Sequence, residues 1–136
     1  MNTRRNLLAT LAAFALALVA GSAPAAPPRV EILAMAHPPV KMALAPLRNW
    51  LATRSDKLKL VELDIESPPG AKRLAELGLG GHIPIVILID GQFRYRRKDG
   101  VALEFVNFPA IEGAPPGARG NWTTADVQAT LSERIK

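Results

Sequence analysis

Five consecutive apolar residues, Ile85-Val86-Ile87-Leu88-Ile89, run between an Ile83-Pro84 step and an Asp90-Gly91 turn signal. A run this short, rich in β-branched residues and bounded by turn residues, predicts a strand covered on both faces. Residues 30–36 read the same way, with Val30, Ile32 and Ala34 on one face and Leu33 and Met35 on the other. Two such strands require a sheet with helices packed against it, and the intervening segments supply them.

His37-Pro38-Pro39 ends the first strand, and a helix is predicted over residues 40–54. Val40, Leu44, Leu47 and Leu51 recur there at helical spacing with Trp50 beside them, and Pro46 is expected to kink the helix. Residues 58–65 form a second strand whose Val61, Leu63 and Ile65 face is apolar. Ser67 caps the next helix with Pro68 at its first position, Leu74 and Leu77 mark its inner face, and Gly78 stops it. Asp90-Gly91 and Asp99-Gly100 are hairpin turn signals around residues 93–97 and 101–106, which predicts a meander of three antiparallel strands. Residues 107–121 read as a loop. Thr123 and Asp126 then form a capping box, Trp122 and Val127 a hydrophobic staple, and Val127, Leu131 and Ile135 an apolar stripe. The order β-α-β-α-β-β-(β)-α predicts an α/β sandwich with a mixed sheet of four to five strands flanked by helices.

The first residues read differently. Arg4 and Arg5 precede an apolar run from Leu7 to Ala20, and Ala23-Pro24-Ala25 matches a small-residue cleavage pattern. Residues 1–25 are therefore expected to be a secretory signal peptide and residues 26–136 one domain, exported to a bacterial periplasm without a stable membrane anchor. Loss of Arg4 and Arg5 lowers the net charge from +5 to +3. The remaining excess is mild, and Arg94, Arg96, Arg97 and Lys98 read as a solvated hairpin face whose charges also discourage aberrant strand pairing. Export argues against nucleic acid as a partner.

The sequence contains no cysteine. Thiol exchange requires a thiolate, so dithiol oxidoreductase, isomerase and thiol peroxidase chemistry lacks its nucleophile. This bears directly on a resemblance. Gly78-Leu79, Ile83-Pro84 and Asp90-Gly91, with Pro46 in the first helix and Lys41-Met42 near its start, resemble in order and spacing the thioredoxin-like superfamily. The resemblance covers essentially all of residues 26–136 and implies a thioredoxin-like sandwich with a cis Ile83-Pro84 bond. Where the family carries its C-x-x-C turn, this chain has Ala36-His37-Pro38-Pro39-Val40-Lys41. Counting from the strand places the two cysteine positions at His37 and Val40; counting back from Pro46 places them at Pro38 and Lys41, and both registers stand. One extra residue lies between Gly78 and Pro84, and the meander is longer than the family's hairpin.

The resemblance further implies a groove with His37, Pro38, Pro39 and Val40 on one side and His82, Ile83 and Pro84 on the other. In that family the backbone before the cis-proline pairs with an extended peptide. The expectation is an exported, monomeric or weakly associating, non-redox protein that binds a protein or peptide partner through this groove. The alternative is a periplasmic metal-binding protein of copper type, using His37 and His82 with Met35 or Met42, since imidazole and thioether suit Cu(I). Other chemistry has weaker claims. Glu62, Asp64 and Glu66 cluster at a strand end, but Glu62 and Asp64 share a face that solvent exposure explains equally well. Ser55 and Ser67 fall at helix boundaries, and Gly78, Gly80 and Gly81 follow no strand, so no dinucleotide fingerprint forms.

Overall fold

A computed structural model describes residues 23–135. The expected leader lies almost entirely at residues 1–22, outside the described residues. The elements are β1 (Arg29–Ala34), α1 (Pro38–Ala52), β2 (Lys59–Asp64), α2 (Pro68–Glu76), β3 (Ile85–Ile89), β4 (Arg94–Arg96), β5 (Ala102–Glu104) and α3 (Thr124–Ser132). This is a mixed α/β fold. Among the described residues no helix is long and apolar enough to cross a membrane.

β1 lies centrally, parallel to β2 and antiparallel to β3, in the order β2-β1-β3. Both β1 and β3 are buried nearly throughout, as apolar strands with helices on both sides must be. One layer of core joins Val30, Ile32, Ile85, Ile87 and Ile89 to the inner face of α1 and to Val127 and Leu131 of α3. On the other face Leu33, Val86 and Leu88 meet Leu74 of α2 and Phe93.

The expected single sheet of four to five strands is instead a three-stranded sheet and a separate β4–β5 pair. The expected three-strand meander is also rearranged. The chain leaves β3 through a tight turn where Ile89 and Gln92 bridge, Tyr95 of β4 donates its O–H to the Ile89 carbonyl, and the chain after β5 returns to β3 through a Val86–Val106 bridge. Phe105 is the corner: its N–H donates to the Phe93 carbonyl and its own carbonyl accepts from Ile87 N–H. The edge of β5 away from β4 is taken by Asn121. The Asn121 side chain accepts from Glu104 N–H at 3.0 Å and donates to the Ala102 carbonyl at 2.9 Å.

α1 starts two residues before the expected Val40. Pro38 and Pro39 occupy its first two positions, where a missing N–H sacrifices no helical bond. Pro46 sits inside the same continuous helix. α2 begins as the sequence indicates, with Ser67 Oγ accepting from Gly70 N–H, and Gly78 takes a left-handed φ of 69° just beyond its end. α3 carries the full capping box: Thr123 Oγ1 accepts from Asp126 N–H, and Asp126 Oδ2 accepts from Thr123 N–H at 2.8 Å. Thr123→Ala is expected to cost about 1 kcal/mol, read as a lower urea midpoint at unchanged slope.

One charged residue departs from the apolar reading of β1. Glu31, on the Leu33 face, is 4% exposed and receives two 3.0 Å bonds from Arg73 of α2. Burial alone would raise its pKa. The Arg73 bonds and charge, helped by Arg29, outweigh burial and hold the carboxyl below its ordinary value.

Candidate functional site

β1 and α1 are joined by a short connection. Met35 directly follows β1, His37 is the N-cap of α1, and two prolines follow at once. Opposite, the turn through Gly81 brings His82 and Pro84 to the start of β3, fixed by a 3.0 Å bond from Met35 N–H to the Pro84 carbonyl. A cavity of about 370 Å³ opens between them. Its β1–α1 wall is Met35, His37, Pro39 and Val40, and its β3 wall is His82 and Pro84. The third wall is the loop after β5, which contributes Phe108, Pro115, Pro116 and Ala118.

That loop closes on itself at a neck. Phe108 N–H donates to the Ala118 carbonyl at 2.8 Å, and Gly120 N–H donates back to the Phe108 carbonyl at 2.6 Å. Gly113 and Gly117, both in the left-handed region, turn the chain on either side of Ala114-Pro115-Pro116.

The structure thus brings five of the seven expected groove residues to one cavity: His37, Pro39, Val40, His82 and Pro84. Pro38 is exposed at the helix start and does not line it. Ile83 packs on the other side of the sheet, against the α2 layer. The loop residues were not expected from sequence, because their Gly and Pro content signals only a turn. The adjacent pair Pro115-Pro116, rigid and apolar inside that loop, was the available clue.

The expected cis bond is not present. Every peptide bond among the described residues is trans, Ile83–Pro84 included. Gly81, at φ 85°, reverses the chain before Ile83, so the change of direction is already made when the proline is reached. The same turn engages the Ile83 N–H, which donates to the Gly81 carbonyl at 3.2 Å. An incoming peptide therefore does not find that donor free for strand addition.

His37 is half-exposed, and its Nε2 lies 3.0 Å from Glu66 Oε2 in the β2–α2 connection. The N-cap imidazole makes no side-chain capping bond to the helix. Among the described residues, no three His, Cys, Asp or Glu side chains gather closely enough to hold a metal ion. Met35 lines the cavity beside the two histidines, whereas Met42 is 75% exposed and lies outside it.

A larger hollow, about 560 Å³, separates the β4–β5 hairpin from α3. Its basic residues are mostly balanced within the fold. Arg97 bonds Asp99 at 2.7 Å and holds that carboxyl below the usual range, Lys98 meets Glu133 at 3.4 Å and Arg134 meets Asp90 at 3.3 Å. Arg94 pairs with Glu104 on the same hairpin.

Compared with known proteins, the chain matches no family model and no curated protein.

Proposed function

We propose that this chain is a non-redox binding module, thioredoxin-like in architecture, that takes a segment of a protein or peptide partner into the His37–Pro84 cavity. One observation carries the reading: histidine, proline and apolar side chains from three separate segments converge on one concave site at the end of the central strands. Concave, mostly apolar sites with a few placed polar groups are the usual form of a ligand pocket. The parallel β1–α1–β2 unit, the antiparallel β3 and the return of residues 105–107 to β3 support the thioredoxin-like architecture. Because the Ile83 amide is engaged, the partner is held by a side chain inserted into the cavity rather than by backbone pairing at Ile83.

The test is a phage-displayed dodecapeptide selection against residues 26–136, with recovered peptides measured by fluorescence anisotropy. Ala118→Trp fills the cavity from its loop wall, and affinity is expected to fall at least about tenfold. Absence of any selectable peptide, or binders indifferent to Ala118→Trp in a folded variant, would remove the proposal.

A further inference from the structure

The three-stranded sheet has two outer edges, and only one of them is covered. Along β3, Ile87 N–H donates to the Phe105 carbonyl and Asn107 N–H to the Ile85 carbonyl. β2 has no neighbour beyond β1 among the described residues. Its register shows which backbone groups are left. Lys59 N–H donates to the Pro28 carbonyl and Ile65 N–H to the Ala34 carbonyl, so odd-numbered residues of β2 turn their backbone groups to β1. The N–H and C=O groups of Leu60 and Glu62 therefore point outward, along a strand whose residues are exposed or half-buried.

The two faces of that edge differ in charge. Lys59, Val61 and Leu63 share the α2 side with Arg29, Glu31 and Leu33, their partners in register. Lys59 is exposed, as are Lys57 two residues before it and Lys72 of α2, which borders the same hollow as Leu63 and Arg29. Among the described residues none of these lysines pairs with a carboxylate, and the neighbouring Glu31 and Glu76 are both held by Arg73. On the α1 side Leu60 is 40% exposed, and Glu62 is paired with Arg48 at 2.8 Å. Lysines along an edge discourage strands that bring no countercharge and favour one that does. A second copy brings none. Antiparallel pairing of β2 with itself keeps each face on its own side, and the α2-side face from Lys59 to Leu63 holds no carboxylate.

We propose that the free edge of β2 takes an added strand from a partner segment in which acidic and apolar side chains alternate. Its backbone pairs with Leu60 and Glu62, its carboxylates lie on the α2 side with Lys59 and Lys72, and its apolar residues cover Leu60. Backbone pairing supplies the general affinity and the side-chain alternation supplies the selection, as in other strand additions. This surface is separate from the His37–Pro84 cavity.

The experiment titrates isotope-labelled protein with Ac-Gly-Glu-Val-Glu-Val-Glu-Gly-NH2 and measures amide hydrogen exchange residue by residue. With free peptide at about four times its Kd, the Leu60 and Glu62 amides are expected to slow about fivefold while Val61 and Leu63, already bonded to β1, keep their rates. At low ionic strength the peptide with Lys in place of Glu should bind at least about tenfold more weakly. The block sequence Ac-Gly-Glu-Glu-Glu-Val-Val-Gly-NH2 should also bind more weakly, because it cannot put all its carboxylates on one face. In Lys59→Glu/Lys72→Glu the preference for the Glu peptide over the Lys peptide should fall to one or reverse; a ratio is read, so a general loss of affinity does not imitate it. The proposal is overturned if Leu60 and Glu62 are unaffected up to about 1 mM peptide, the weak end of specific binding. Equal binding of the Glu and Lys peptides overturns it too, as does a block sequence that binds as tightly as the alternating one. Effects confined to Met35, Val40 and Ala118 would place the peptide in the cavity instead. Protection of Leu60 and Glu62 that grows with protein concentration alone would assign the edge to a second copy.

Discussion

Gly70→Ala is expected to destabilise the protein by about 3 kcal/mol, although helix propensity alone predicts the opposite. Gly70 is the third residue of α2, and alanine is about 1 kcal/mol better than glycine inside a helix. Its backbone, however, lies directly against the end of β2. A Cβ built there would stand 2.6 Å from the Asp64 carbonyl carbon, closer still to the oxygen, and 3.0 Å from Ile65 Cα. These neighbours are backbone and cannot rotate away. The Asp64 carbonyl is also committed, accepting from Ser67 N–H at 3.0 Å and from Ser67 Oγ at 2.6 Å. Relief requires α2 to shift from the sheet, loosening Leu74 from Leu33, Val86 and Leu88. Urea unfolding decides between the two: a higher midpoint would mean that propensity governs and that the close approach is not maintained in solution.

The contrast between Gly70 and Thr123 shows what a sequence can and cannot convey. The α3 capping box is a contact between residues three apart, and Thr-x-x-Asp before an apolar stripe announces it. The run Ile85–Ile89 announces β3 for a similar reason, since double burial is written in consecutive residues. Gly70 carries its meaning only through Asp64 and Ile65 across a helix–strand contact, and nothing local distinguishes it from any helix glycine. Asn121 is the same case: it replaces a neighbouring strand along β5 from seventeen residues away. In the candidate site, His37, Pro39, Val40, His82 and Pro84 were expected because the resemblance implied a groove at those positions. Phe108, Pro115, Pro116 and Ala118 were not, because their position depends on how the loop closes at its neck. The trans Ile83–Pro84 bond escaped for a related reason, since the resemblance suggested the isomer while Gly81 decided the path.

Glu31 and Arg73 lie forty-two residues apart, and their pairing sets the second large expected effect. Arg73→Ala should cost about 3 kcal/mol near neutral pH, because it strands a carboxylate that is 4% exposed. Arg29, 3.4 Å from Glu31 but itself half-exposed, compensates only in part. The pH dependence separates this cause from simple loss of packing. In the natural protein the folded pKa of Glu31 is below its ordinary value of 4.5. Its contribution to stability is therefore complete above about pH 4.5 and is lost as pH falls through the lower, folded value. Without Arg73 the balance reverses: burial raises the carboxyl, the folded state takes up a proton more readily than the unfolded chain, and acidification relieves the penalty. The stability gap between the natural protein and Arg73→Ala should thus narrow steadily as pH is lowered, read from urea midpoints at constant ionic strength. The double variant Glu31→Leu/Arg73→Met removes both charges and keeps comparable bulk. It should recover most of the loss and show no such narrowing, because a buried pair replaced by apolar side chains leaves no charge to strand. A gap that stays constant with pH would instead assign the cost of Arg73→Ala to the aliphatic stem of Arg73 packed along α2, and not to its charge.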